Sequence, residues 1–297
     1  MRSWMKRVLG VVLTLALLVT MIPVTTAQAA TEKLTMYVGE VFTYTIFGNG
    51  ITSVSSSKKS VVKAQKDKSN RDGFIFEAKK TGSAKLTVKY KNYSNKVMTH
   101  TINVTVKKRN LSVKMQKLED GYVFLSVKNN TKQTFDQAMV SYVLKDGDGE
   151  VVAEDSVTVS DLVAGKTAYD KFSYDSYSYD IDITKCTAKV VAVDRHPGYS
   201  YSDMNKNLKY EVTEEKETDE YGYEKVTLSL HYSNKYKESI TGSIWVILYD
   251  ANDQVVGLKD VSVYLKGKAS DTQKLTVFEE NYDHYEVKTG VYYKKYN

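Results

Sequence analysis

At 297 residues the chain exceeds one ordinary domain, and its single cysteine excludes an intramolecular disulfide, so every module must hold together by burial alone. A formal charge of +6 hides an uneven distribution: residues 31–109 carry 16 Lys/Arg against 5 Asp/Glu, while residues 110–297 carry 23 against 31. Two prolines, one of them beyond residue 30, leave the turns to Gly, Asn and Asp.

Residues 1–30 read as a cleaved signal peptide. Arg2, Lys6 and Arg7 precede an apolar run from Val8 to Ile22, and Ala27-Gln28-Ala29 offers a small-residue cleavage site. The run is shorter than the roughly 20 apolar residues of a full span, and no later segment is apolar enough, so no membrane span is expected in the mature protein. The expected location is secreted or extracellular, free or attached to the cell wall.

Beyond residue 30 the sequence alternates with period two, and helical periodicity is nearly absent. In Ala84-Lys85-Leu86-Thr87-Val88-Lys89-Tyr90-Lys91, one face takes Ala84, Leu86, Val88 and Tyr90 and the other takes the lysines and Thr87. Such a strand has one buried and one wet face, which is the signature of antiparallel sandwiches. Residues 31–109 form the first expected module. Its landmarks occur in order: Val38-Gly39-Glu40, then Val54-Ser55-Ser56-Ser57 leading to Ser60-Val61-Val62, then Thr81-Gly82-Ser83-Ala84, and last Ile102-Asn103-Val104-Thr105-Val106. With these it resembles the bacterial immunoglobulin-like domain, group 2, although Val54 stands where that family often carries Trp. The resemblance implies an Ig-like sandwich on a surface or secreted protein. Lys58, Lys59, Lys63, Lys66, Lys68 and Arg71 gather in this module as a candidate polyanion-binding surface. Lysines that merely solubilise the sandwich and guard its edges are the equal alternative.

Residues 110–195 and 204–297 read as a duplicated module, with a linker at 196–203 that holds His196-Pro197-Gly198. Leu125-Ser126-Val127 matches Leu228-Ser229-Leu230, and Val143-Leu144-Lys145-Asp146 before Glu150-Val151-Val152 matches Ile247-Leu248-Tyr249-Asp250 before Gln254-Val255-Val256. Gly165-Lys166 is matched with Gly267-Lys268, and Tyr179-Asp180 with Tyr282-Asp283. Val246-Ile247-Leu248-Tyr249-Asp250 and Tyr142-Val143-Leu144-Lys145-Asp146 make both modules resemble the FxLYD family of extracellular sandwich domains, a resemblance that implies architecture and no chemistry. The expected fold is therefore all-β, three tandem antiparallel β-sandwich modules.

Chemistry-bearing motifs are absent. The four histidines lack zinc spacing, and no phosphate loop, nucleophile elbow or zinc-protease signature occurs, so no catalytic residue, cofactor or metal is expected. Asp146, Asp148 and Glu150 alternate as calcium ligands would, but the EF-hand pattern fails and a plain hairpin turn is the stronger reading. Cys186 reads as a buried structural thiol in a strand over residues 183–190. Tyr174, Tyr177 and Tyr179, spaced by Ser and Asp, form a candidate rim for protein or glycan contact, against the alternative that they cover sheet faces. Trp245 lies inside a strand, so a Trp-based sugar platform is not evident. The leading expectation is a non-enzymatic secreted or surface-associated binding and scaffold protein, with a basic module for the anionic envelope and acidic modules for adhesion to a partner, the partner class being a cell-wall polyanion or an extracellular protein or glycan. The alternative is a carbohydrate-binding accessory protein that recognises extracellular glycan through Tyr-rich loops. Nucleic acid is not an expected partner of an exported chain. A hydrolase with an unfamiliar site would be signalled by a hydrophobic pocket that holds two carboxylates of shifted pKa.

Overall fold

The computed structural model describes residues 20–21, 31–119, 121–218, 224–279 and 281–296. Apart from Thr20 and Met21, the expected signal segment lies outside the described residues. The chain is nearly all β and divides into two compact units, residues 1–109 with 192–198, and residues 110–191 with 199–297.

The first unit is one sandwich. One sheet has the order β1-β3-β6-β5, built from β1 (Thr20–Met21), β3 (Val41–Thr45), β6 (Gly73–Ala78) and β5 (Val62–Lys66). The other has the order β2-β8-β7-β4, from β2 (Thr31–Tyr37), β8 (Val97–Lys107), β7 (Gly82–Lys91) and β4 (Ile51–Ser56). Pairing is antiparallel except where β1 joins β3 and β2 joins β8, the latter with Leu34 beside Val104. The alternation of β7 is realised, Ala84, Leu86 and Val88 buried and Lys85, Lys89 and Lys91 exposed. Phe42, Tyr44, Phe74 and Phe76 pack ring against ring between the sheets, with centroids 5.2 to 5.9 Å apart. Gly82 has φ +141°, and a Cβ there would stand 3.3 Å from the Val61 side chain, so the turn before β7 requires glycine.

This core holds one fully buried carboxylate. Glu40, at 0 % exposure, accepts the Tyr37 N–H at 2.8 Å and the Arg195 Nε–H at 2.8 Å, and Arg195 also donates to the Thr35 carbonyl at 2.5 Å while its guanidinium lies 5.5 Å from the Phe42 ring centroid. Burial pushes the Glu40 carboxyl up to about 7, against the opposing pull of Arg195 and the Tyr37 amide.

The second unit contains two sandwiches with the same strand plan. In the earlier one, β10 (Tyr122–Asn129) lies between β9 (Leu111–Lys117) and β13 (Thr167–Ser173), and β11 (Phe135–Lys145) lies between β12 (Val151–Leu162) and β14 (Thr187–Asp194). In the later one, β17 (Glu224–Asn234) lies between β16 (Leu208–Thr218) and β20 (Ser270–Val277), and β18 (Ile240–Tyr249) lies between β19 (Val255–Leu265) and β21 (His284–Tyr296). Strand β15 (Tyr199–Asp203) adds to β21, so the expected linker 196–203 is strand from Tyr199 onward. The alternating Tyr199 and Tyr201 mark it, and Pro197 stands before it, where a missing N–H costs nothing.

Both sandwiches turn on the same residues. Asp146 Oδ1 accepts the N–H groups of Asp148 and Glu150 at 3.0 and 2.9 Å, and Asp250 Oδ1 accepts those of Asn252 and Gln254 at 2.9 and 2.8 Å. Buried Asn129 donates to the Gln133 and Leu162 carbonyls, and buried Asn234 to those of Glu238 and Lys266. Hydrogen bonding also shifts two sequence matches. Asp182 N–H bonds Lys145 O as Asp283 N–H bonds Tyr249 O, so Ile181-Asp182, not Tyr179-Asp180, is the counterpart of Tyr282-Asp283. Gly165 and Lys268, not Gly267, share the left-handed turn position with φ of +73° and +63°.

Candidate functional site

The six candidate cations of the first unit are all exposed. Lys63 and Lys66 lie on β5, which pairs only with β6 and is a sheet edge. Lys58 and Lys59 stand in the turn before that strand, and Lys68 and Arg71 in the loop after it. Arg71 meets Asp72 at 3.6 Å, whereas the five lysines make no ion pair among the described residues. The cations therefore run along one short edge, where they keep another strand from pairing and present their charge to solvent.

The tyrosine rim is smaller than expected. Tyr177 and Tyr179 are exposed in the loop after β13, but Tyr174 is half-buried and packs on the Val123, Leu144 and Ile181 cluster, because its N–H is tied to the Gly121 carbonyl at 2.8 Å. Cys186 precedes β14, not within it, since the strand starts at Thr187; half-buried, its thiol lies 3.2 Å from the Asp182 carbonyl and accepts the Lys145 N–H at 3.3 Å. The Asp146 carboxylate is spent on its own turn. Among the described residues no group of three or more His, Cys, Asp and Glu could hold a metal ion.

What sequence reasoning missed lies inside the second unit, where the outer face of the later sandwich meets β11, β12 and β13 of the earlier one. Ile244, Val246 and Leu248 point into the later core, yet Trp245, on the opposite face of β18, is only 2 % exposed. Its indole is met edge-on by Tyr169 at a centroid distance of 5.6 Å, and Tyr169 in turn stacks on Phe124 at 5.8 Å. Gly290 makes this possible: a Cβ there would lie 2.6 Å from Trp245 and 3.1 Å from the Asp161 carbonyl. The signal was in the sequence as Ile244-Trp245-Val246-Ile247-Leu248, an unbroken apolar run, which marks a strand buried on both faces.

Beside the indole sits a carboxylate pair. Asp136 and Asp161 stand between the cross-strand pairs Phe135–Leu162 and Gln137–Ser160, so two acids face each other on β11 and β12. Like charges there are unfavourable, and the corresponding positions of the later sandwich hold the uncharged pair Thr241–Tyr264. The later sandwich supplies the remedy. Tyr201 donates to Asp136 at 2.6 Å, Lys294 bonds it at 2.7 Å, and Ser243 donates to Asp161 at 2.5 Å. The Tyr292 hydroxyl lies 2.9 Å from Asp161 and 3.1 Å from Asp136. A phenol has one proton, so it donates to one of the two; the second bond is complete only when the other carboxyl carries a proton. Burial raises the Asp161 pKa, Ser243 and Tyr292 oppose, and Asp136 adds to the rise. Asp161 also holds φ +60°, a left-handed conformation that Asp tolerates better than most residues.

Between these contacts opens a cleft of about 480 Å³, lined by Asp136, Asp161, Tyr169, Asp170, Asp260 and Tyr264 among others, with Ser and Thr hydroxyls between them. Asp170 is pushed up to about 6 by burial, opposed by its bond from the Lys171 N–H and assisted by Asp260.

No family model matches the chain, and no curated protein does. Among solved structures, a tetra-tandem repeat from the extending region of a large adhesion protein is similar at 9 % identity and TM-score 0.21, covering 87 % of this chain and 73 % of that one. Fibronectin(III)-like modules of CbhA from Clostridium thermocellum align at 9 % identity and TM-score 0.20, covering 82 % and 94 %. Red sea bream transglutaminase aligns at 14 % identity and TM-score 0.19, over 64 % of this chain and 31 % of that one.

Proposed function

We propose that the chain is a non-enzymatic extracellular binding and scaffold protein, a group 2 bacterial Ig-like module followed by two FxLYD-like modules, whose first module holds an anionic cell envelope. One observation carries the reading: five exposed lysines that make no ion pair among the described residues lie with Arg71 along a single sheet edge, on a module whose 16 Lys/Arg face only 5 Asp/Glu. Charge of this kind accumulates polyanions through many weak contacts, and salt screens it over a Debye length of about 10 Å at 0.1 M. The two carboxylates of the acidic pair have all four oxygens engaged by Tyr201, Tyr292, Lys294 and Ser243, which suits a structural junction better than acid–base work on a substrate. Co-sedimentation of the mature chain with isolated cell walls tests the proposal. Binding should fall steeply with added salt and vanish when Lys58, Lys59, Lys63 and Lys66 are changed to Glu; salt-independent binding would refute it.

A second reading, glycan recognition, is favoured by the exposure of Tyr177 and Tyr179. Under it, Tyr177→Ala and Tyr179→Ala abolish binding on a glycan array while wall binding stays unchanged.

A further inference from the structure

We propose that the cleft between the two sandwiches of the second unit is a binding site for a saccharide that carries a protonated amine. The site is independent of the lysine edge, and it exists only where the two modules meet, since one wall comes from β11–β13 and the other from β18, β19 and β21.

Three features of its lining set the ligand class. The first is volume: about 480 Å³ falls within the roughly 300 to 1,000 Å³ typical of small-molecule sites. The second is an available ring. Tyr264 is 72 % exposed at the cleft, and register places it on the same face of the sheet as Ser262 and Asp260. A sugar presents an apolar C–H face that packs on such a ring, while its hydroxyls find Thr158, Ser160 and Ser262. A ligand bearing only hydrocarbon would leave those hydroxyls without partners. The third is acid that no ion pair engages. Asp260 is exposed and makes no ion pair or hydrogen bond among the described residues; it acts electrostatically on Asp170, which accepts the Lys171 N–H, and on the Lys171 ammonium, which forms no ion pair with it. Asp136 and Asp161 are excluded from this role because Tyr201, Tyr292, Ser243 and Lys294 already engage them. A cation placed between Asp170 and Asp260 relieves their mutual repulsion and gains charge-assisted hydrogen bonds, with the ring of Tyr169 near enough to line the same space. A neutral sugar would form no ion pair with these two acids, and a cationic peptide would leave the row of hydroxyls unused.

The test is calorimetric titration of the mature chain, near neutral pH, with a short glucosamine oligomer, its N-acetylated counterpart and a lysine peptide of matched charge. The glucosamine oligomer should bind, and the other two should bind at least about tenfold more weakly. Asp260→Asn and Tyr264→Ala, both at exposed positions, should each weaken binding about tenfold without lowering the melting temperature. The Lys58/Lys59/Lys63/Lys66 charge-reversed chain should bind the oligomer as the wild type does, which separates this site from wall attachment. The proposal is overturned if the glucosamine oligomer gives no heat, if the acetylated oligomer or the peptide matches it, or if both cleft variants bind normally.

Discussion

Glu40 and Arg195 show how much rests on one pair of side chains. Arg195 reaches a carboxylate 155 positions away in sequence and leaves it with no contact to water. Removing one partner of such a pair leaves a buried charge, which costs about 3 to 5 kcal/mol, so Arg195→Ala should lower the first unit's urea midpoint sharply. Its pH dependence has a definite sign. The folded pKa of about 7 lies above the ordinary value of 4.5, so the native state binds this proton more tightly than the unfolded chain. The stabilisation is complete below about 4.5 and is lost as pH rises toward 7. Urea midpoints across that window should fall less steeply in Glu40→Gln than in the wild type. Asn129 and Asn234 make a second residue-level case, since each spends its amide hydrogens on two carbonyls, Gln133 and Leu162 for Asn129, Glu238 and Lys266 for Asn234. Replacing either by Asp keeps the shape but removes both donors and sets a carboxylate against carbonyl oxygens, so thermal melts should show a loss of about 2 kcal/mol or more for each.

At the scale of elements, the junction of β12, β18 and β21 depends on a proton. With Asp161 and Asp136 both ionised, the Tyr292 hydroxyl serves one of them; with Asp161 protonated, a chain of bonds runs from Asp161 through Tyr292 to Asp136. The charged groups that face it are Asp136 and Lys294, and Ser243, Tyr201 and Tyr292 complete its shell. Because burial raises the folded pKa of Asp161, its contribution is full below the ordinary aspartate value of about 4 and declines as pH rises through the folded value. Asp161→Asn tolerates the same left-handed backbone and mimics the protonated acid, so the variant should keep at neutral pH the second-unit stability that the wild type reaches only on acidification. A variant with the wild-type pH profile would refute the shared proton. How far the sequence displayed these elements depends on the range of the cause. Strands such as β7 and β17 were legible because alternation is local, and the two like hairpin tips were legible because Asp146 and Asp250 cap their turns with the same two backbone bonds. The cleft was not, since Tyr169 and Trp245 meet across 76 positions and no period links them. Tyr174 was misjudged because composition marks a rim but does not say which ring turns inward.

For the molecule as a whole, Trp245 decides whether the two later sandwiches behave as one body. Covering an indole removes on the order of 150 to 250 Å² from water, worth about 4 to 6 kcal/mol at 25 cal/mol/Å², which is comparable to the net stability of a small domain. Loss of that contact therefore costs either sandwich a large share of its margin, and the pair should unfold together. The measurement is unusually direct, because the chain has two tryptophans and Trp4 leaves with residues 1–30 if the signal is cleaved. In the mature protein all tryptophan fluorescence then reports this junction. In urea the red shift of that emission should coincide with the loss of far-ultraviolet β signal from the fragment 110–297. A red shift at distinctly lower urea would mean that the sandwiches part before they melt, and the coupling would be disproved. Gly290→Ala supplies the converse: a methyl placed 2.6 Å from the indole forces the junction open without touching either core, so emission should be red-shifted before any urea is added while the β signal persists.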